Sequence, residues 1–159
     1  MHPILAVGFR PFYLLAALFA VAALPLWMGF YFDLIPAGGY LVGISWHTHE
    51  MLFGFTPAVI AGFLLTAVQN WTGRPTSTGS GLLALVVLWL LARVLILTGP
   101  PAFAAVVDLL FLPTLAVVVG IPIARSGNYR NLLVLAVLVG LWLANLVFHF
   151  AHLNIVSPF

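Results

Sequence analysis

Five long apolar stretches, parted by short polar breaks, constrain this chain more than any other feature. They run over about residues 11–32, 46–70, 82–98, 102–124 and 131–152. A helix needs roughly 20 mostly apolar residues to cross a bilayer. None of the five alternates apolar with polar residues, and open strands in lipid would leave backbone groups unpaired. The expected fold is therefore all-α: a polytopic transmembrane helix bundle of about five antiparallel spans, forming a single helical domain over residues 1–159. Short connections such as Gly99-Pro100-Pro101 make sequential helices neighbours.

Composition supports the same class. Only 5% of the residues are charged and 64% are hydrophobic, whereas a soluble domain carries roughly 25% charged residues. This excludes a water-soluble globule, a disordered tail and a nucleic-acid binder built on a basic patch. The absence of cysteine excludes disulfides, thiolate-bound zinc, iron–sulfur clusters and covalently attached c-type haem. The first stretch reads as a retained helix rather than a cleaved signal, because its apolar core is too long and its leading segment holds one Arg.

The arginines give an orientation. Arg10, Arg74, Arg125 and Arg130 all fall on one side of a five-span chain, and Asp33 falls on the other. The positive-inside rule places the N-terminus in the cytoplasm. His47, His49 and Glu50 then lie near the outer end of the second span, and His149 and His152 near the outer end of the fifth. Four of the five histidines thus converge on one face, while His2 lies at the other and is expected to be idle. Interfacial histidines can simply reach headgroups or water, but imidazole is also a common metal and haem ligand.

Spacing refines the cluster. At 100° per residue His149 and His152 share a helix face, with Asn145 one turn below. His47 and His49 point in opposite directions, which suggests two sites, or one site and a supporting residue. His47 shares its face with Glu50 and Met51. The order His-x-His-Glu differs from the zinc-protease His-Glu-x-x-His, so no protease is implied. Arg93 and Asp108 lie at similar depth on helices joined by the Gly-Pro-Pro turn. An Arg93–Asp108 ion pair is the expected structural answer; alternatively Arg93 faces a haem propionate or Glu50. With the ion pair made, Glu50 is left as the one charge without an evident partner. Gly54, Ala58 and Gly62, and again Ala136, Gly140 and Ala144, form small-residue ridges that suit close helix packing or a flat macrocycle. Pro57 is expected to kink the second span below His49. Tyr40 and several Trp and Tyr residues fit interfacial belts.

These residues together resemble a known family. His2-Pro3 with Gly8-Phe9-Arg10-Pro11-Phe12, Trp46-His47-Thr48-His49-Glu50-Met51-Leu52-Phe53-Gly54-Phe55, and Ala61-Gly62-Phe63-Leu64-Leu65-Thr66-Ala67-Val68 leading into Asn70-Trp71-Thr72-Gly73-Arg74-Pro75 are similar to the NnrS family. So are Val107-Asp108-Leu109, Leu112-Pro113 and the Asn145, His149, His152 series. The resemblance implies a multi-pass protein of the bacterial inner (cytoplasmic) membrane. It implies haem b and copper as cofactors, and a role in nitric oxide metabolism under denitrifying or nitrosative conditions. Usual members are much longer, so this chain is expected to be a short form, a truncation or one piece of an assembly. A second copy or another membrane subunit would replace the missing helices.

The leading expectation is a haem/copper membrane protein that binds or detoxifies nitric oxide. His49 and His149 are the favoured haem pair, with His152 and Arg93 beside the cofactor. His47, Glu50 and Met51 form a candidate copper site, since His and Met suit copper. Two other readings stand beside it: a non-enzymatic metal-binding or copper-handling subunit, and a transporter fragment with Glu50, Arg93 and Asp108 lining a polar path.

Overall fold

The computed structural model describes residues 3–153; His2 and the closing residues 154–159 lie outside them. A short 3-10 turn, Pro3–Leu5, precedes α1 (Phe9–Tyr31). The next span is continuous over Gly43–Thr72 but not uniform. It comprises α2 (Gly43–His49), a π-helical turn (Glu50–Phe55) and α3 (Thr56–Thr72). Then come α4 (Gly79–Thr98), α5 (Pro101–Ser126), a 3-10 turn (Tyr129–Leu132) and α6 (Leu133–His152). Five helices are long and apolar enough to cross a membrane, and no strand occurs among the described residues.

Local chemistry sets the boundaries. Gly73 and Gly127 take left-handed conformations, φ 63° and 70°, just past α3 and α5. Glycine carries no Cβ to clash there, so these helices end where the sequence supplies it. Pro100 and Pro101 end α4 and open α5, because a proline bars the residue before it from helical geometry. The expected disturbance at Pro57 takes the form of the π-turn. Pro57 has no N–H to give to the turn before it, and the helix is widened over Glu50–Phe55, ending two residues ahead of it. The Thr56 hydroxyl donates to the Met51 carbonyl at 2.8 Å, pairing one backbone group in this stretch.

Helix α5 is central: it packs on α3, α4 and α6, and α1 closes against α3. Two apolar clusters result. One gathers Phe12, Leu65, Leu82, Leu115, Val119 and Ile123 toward the arginine-bearing face. The other gathers Ala23, Leu41, Trp46, Ile96 and Ala104 toward the opposite face. In lipid, such contacts are held by close van der Waals packing rather than by escape from water. The first small-residue ridge serves this packing: a Cβ on Gly62 would stand 2.7 Å from the Tyr13 ring of α1. The second does not. Ala136, Gly140 and Ala144 lie on the exposed side of α6, with nothing within 4 Å of a Cβ built on Gly140.

Candidate metal centre

Between the two apolar clusters lies a layer of six buried polar side chains: His49, Glu50, Arg93, Asp108, Asn145 and His149. They come from α2, the π-turn, α4, α5 and α6. Charged groups at this depth are expensive unless they satisfy one another, and within this layer every buried side-chain nitrogen and oxygen but Arg93 Nε finds a partner. Arg93 Nη1 donates to both oxygens of Glu50, at 2.9 and 2.8 Å. Its Nη2 donates to Asp108 Oδ1. The expected Arg93–Asp108 pair is present, and so is the alternative contact with Glu50. Glu50 therefore does not stand alone: the same guanidinium bridges both carboxylates.

Gly54, one turn after Glu50, makes room for this bridge: a Cβ there would lie 2.6 Å from Arg93 Nη1 and 2.8 Å from Glu50 Oε2. Only glycine leaves room for the guanidinium. Trp89, one turn before Arg93 on α4, donates its indole N–H to the Gly54 carbonyl at 2.9 Å and holds the two helices in register.

The histidines complete the network. His149 Nε2 lies 3.0 Å from Asp108 Oδ2, and the Tyr40 hydroxyl lies 2.6 Å from His149 Nδ1. One neutral tautomer satisfies both contacts: Nε2–H donates to Asp108, and the Tyr40 O–H donates to Nδ1. Asn145 Nδ2 donates to Asp108 Oδ2 at 2.7 Å. His49 differs. Its Nδ1 is 3.1 Å from Glu50 Oε1, while its Nε2 is 3.2 Å from Asn145 Oδ1 and 3.4 Å from Asp108 Oδ2. Both ring nitrogens face oxygens, yet a neutral imidazole has one N–H. One nitrogen–oxygen approach therefore lacks a hydrogen, and either a second ring proton or a bound cation would satisfy it. The charge balance points the same way, since one guanidinium faces two carboxylates.

Ligand atoms from His49, Asp108 and His149 all lie within 4.8 Å of one another, and all three residues are buried. This His–Asp–His group can bind a metal ion. A flat macrocycle does not fit between the same two imidazoles. Their ring centroids are only 4.9 Å apart, the planes are tilted by 55°, and both Nε2 atoms approach the same carboxylate oxygen. Asp108 and Asn145 occupy the space beside them, and Arg93 is engaged with carboxylates rather than facing open volume.

The remaining expected ligands do not join the group. His47 points away from His49, and its ring stacks on Trp27 at 4.2 Å and 22°. Of the expected His47–Glu50–Met51 copper site, Glu50 is engaged with His49 and Arg93. Met51 packs among the apolar residues around Trp46. His152 shares a face with His149 in the sequence pattern, but its Nδ1 pairs with the Phe148 carbonyl at 2.8 Å and its ring stacks on Phe148. It sits on the last turn, where carbonyls lack helical partners and a basic side chain readily caps them.

Asp108 and Tyr40 carry roles the sequence reading did not assign. Asp108 was expected as the arginine's counter-ion and is also the hub for both histidines. Tyr40 lies in the loop between α1 and α2, which presses so closely on α4 that a Cβ on Gly39 would overlap the Ile96 carbonyl. Sequence spacing carries no signal for that closure. The matched depth of Arg93 and Asp108, and Asn145 one turn before His149, were the hints of a polar layer.

Five membrane-length helices around a buried histidine–carboxylate layer define a polytopic membrane protein with a candidate metal centre. The model of the family described as NnrS protein matches residues 3–158, and the chain belongs to that family. Membership links it to nitric oxide-related metabolism. No match was found among curated proteins or among solved structures.

Proposed function

We propose that this NnrS-family chain holds a single metal ion, copper by its donor set, between His49, Asp108 and His149, and acts in nitric oxide metabolism. The observation that carries this reading is the convergence of those three ligand atoms from α2, α5 and α6 within 4.8 Å, inside a buried layer with an excess of negative charge. Imidazole suits copper and a carboxylate oxygen completes a mixed N/O set. A bound copper ion would supply one-electron exchange with a small ligand such as nitric oxide. The protein's own contribution is to hold the ligands. With the ion at Nε2, His149 would carry its hydrogen on Nδ1 and donate it to the Tyr40 oxygen; Glu50 orients His49, and Arg93 with Asn145 fixes the Asp108 carboxylate. Between the two histidines a small ion fits and haem does not.

Metal quantitation on the detergent-purified protein tests the reading, with an optical spectrum taken alongside. The expected result is stoichiometric copper in the wild type, lost in His49→Ala and His149→Ala and retained in His47→Ala. Iron with a Soret band that disappears in His149→Ala would replace this reading with a haem site. Copper unaffected by either His49→Ala or His149→Ala would end it. A second reading, a non-enzymatic membrane subunit, draws support from the extent to which the layer satisfies itself through Arg93. It predicts a stably folded protein that retains no metal.

A further inference from the structure

The arginine-bearing face carries a second feature, far from the polar layer. A groove of about 200 Å³ is lined by Arg74 and Pro75, just beyond α3, and by Ile121, Pro122 and Arg125 on the last turns of α5. Both arginines are exposed, and among the described residues neither guanidinium has a hydrogen-bond or ion-pair partner. No acid is available to either: the chain has three, Asp33 on the opposite face and Glu50 and Asp108 in the buried layer.

The two arginines are held in a fixed frame. Left-handed Gly73 turns the chain after α3, and the Arg74 N–H donates to Thr72 Oγ1 at 3.2 Å. Asn128, just past α5, donates to the Trp71 carbonyl at 3.2 Å and ties the two loops together. Trp71 and Tyr129 are exposed at this level, and such aromatics mark the depth of the membrane–water interface. The guanidinium pair therefore sits at headgroup depth, on the side to which the positive-inside rule assigns the cytoplasm.

A second, apolar groove lies deeper along the same helix. Pro113, Val117, Ile121 and Arg125 recur at every fourth position of α5. The first two line a larger groove of about 400 Å³ between α5 and α6, closed by Leu138, Val139 and Trp142. Val117 stands about 12 Å below Arg125 along the helix axis. That is the order in which a phospholipid presents its parts: an anionic phosphate at the interface and an acyl chain running inward.

We infer that Arg74 and Arg125 bind the phosphate of an anionic phospholipid whose acyl chain runs past exposed Ile121 to Val117 at the α5–α6 groove. Guanidinium groups match phosphate geometry with paired N–H donors, and basic pockets between spans on this side suit anionic headgroups. The site is independent of the metal centre.

Native mass spectrometry of the full chain in detergent tests it, with phosphatidylglycerol, phosphatidylcholine and inorganic phosphate as separate probes. Phosphatidylglycerol is expected to give discrete adducts at concentrations where the other two give none. Loss of two interfacial arginines should weaken it roughly 30-fold in R74Q/R125Q. R10Q/R130Q removes the same charge from the same face and should bind as the wild type does. V117W, which fills the apolar groove, should lose phosphatidylglycerol while keeping both arginines. If the double variant does not fold, R74Q and R125Q singly should each weaken binding. Equal loss in R10Q/R130Q would reduce the effect to surface charge and overturn the assignment. So would equal binding of phosphatidylcholine, or inorganic phosphate binding as well as the lipid.

Discussion

Arg93→Met is the most informative single perturbation of the buried layer. The substitution keeps much of the side-chain length but removes three hydrogen bonds, two to Glu50 and one to Asp108. It leaves both carboxylates buried with no cation between them. Removing one partner of a buried ion pair costs about 3–5 kcal/mol, because the other charge is stranded. For a chain of this size each kcal/mol moves the midpoint by about 2–4 °C, so a fall of roughly 6–20 °C is expected. Circular dichroism during thermal unfolding in detergent reads it directly. The sharper test is E50Q/R93M, which removes one stranded carboxylate together with the cation. It should melt above R93M, with a coupling of about 0.5–3 kcal/mol. If R93M melts within a degree or two of the wild type, or E50Q/R93M melts no higher than R93M, the bridging role given to Arg93 is wrong.

Gly54→Ala places a methyl 2.6 Å from Arg93 Nη1 and 2.8 Å from Glu50 Oε2; overpacking of this kind costs about 1–3 kcal/mol, and the melting midpoint should fall accordingly. Tyr40→Phe removes the hydroxyl 2.6 Å from His149 Nδ1; copper affinity should fall about 10- to 100-fold by competition with a chelator, with little change in helicity. The Tyr40 phenol should ionise above its ordinary value of about 10, because burial and then the Glu50 charge oppose a phenolate, with Arg93 acting the other way. A raised native value means that this contribution to stability is whole below the unfolded pKa and is lost as pH rises past it. The wild type should therefore lose more stability than Tyr40→Phe in melts taken above about pH 10, and parallel curves would refute the buried contact.

Much of this molecule was legible in one dimension. Apolar length and the scarcity of charge decide that the chain forms membrane-length helices, since a bilayer leaves the backbone few other ways to satisfy itself. Glycine and proline decide where the helices stop, through the steric freedom of one and the missing N–H of the other. The near-equal depth of Arg93 and Asp108 was readable by counting from the Gly-Pro-Pro turn, because an antiparallel pair with a tight connection has one register.

Which polar groups meet was settled only by tertiary packing. Periodicity assumes a regular helix, which the π-turn at Glu50–Phe55 is not, and it says nothing of the Arg93 that Glu50 meets from α4. A helix face states which side chains point together, not which neighbour they will meet. His149 and His152 share a face, yet one reaches Asp108 and the other its own helix end. Tyr40 reaches His149 across 109 positions of sequence because Gly38 and Gly39 let their loop lie against α4. The sequence by itself determined that charges this rare, buried in lipid, had to satisfy one another. The packing of α5 against its three neighbours decided that they do so as one network, with Asp108 as its hub between two histidines.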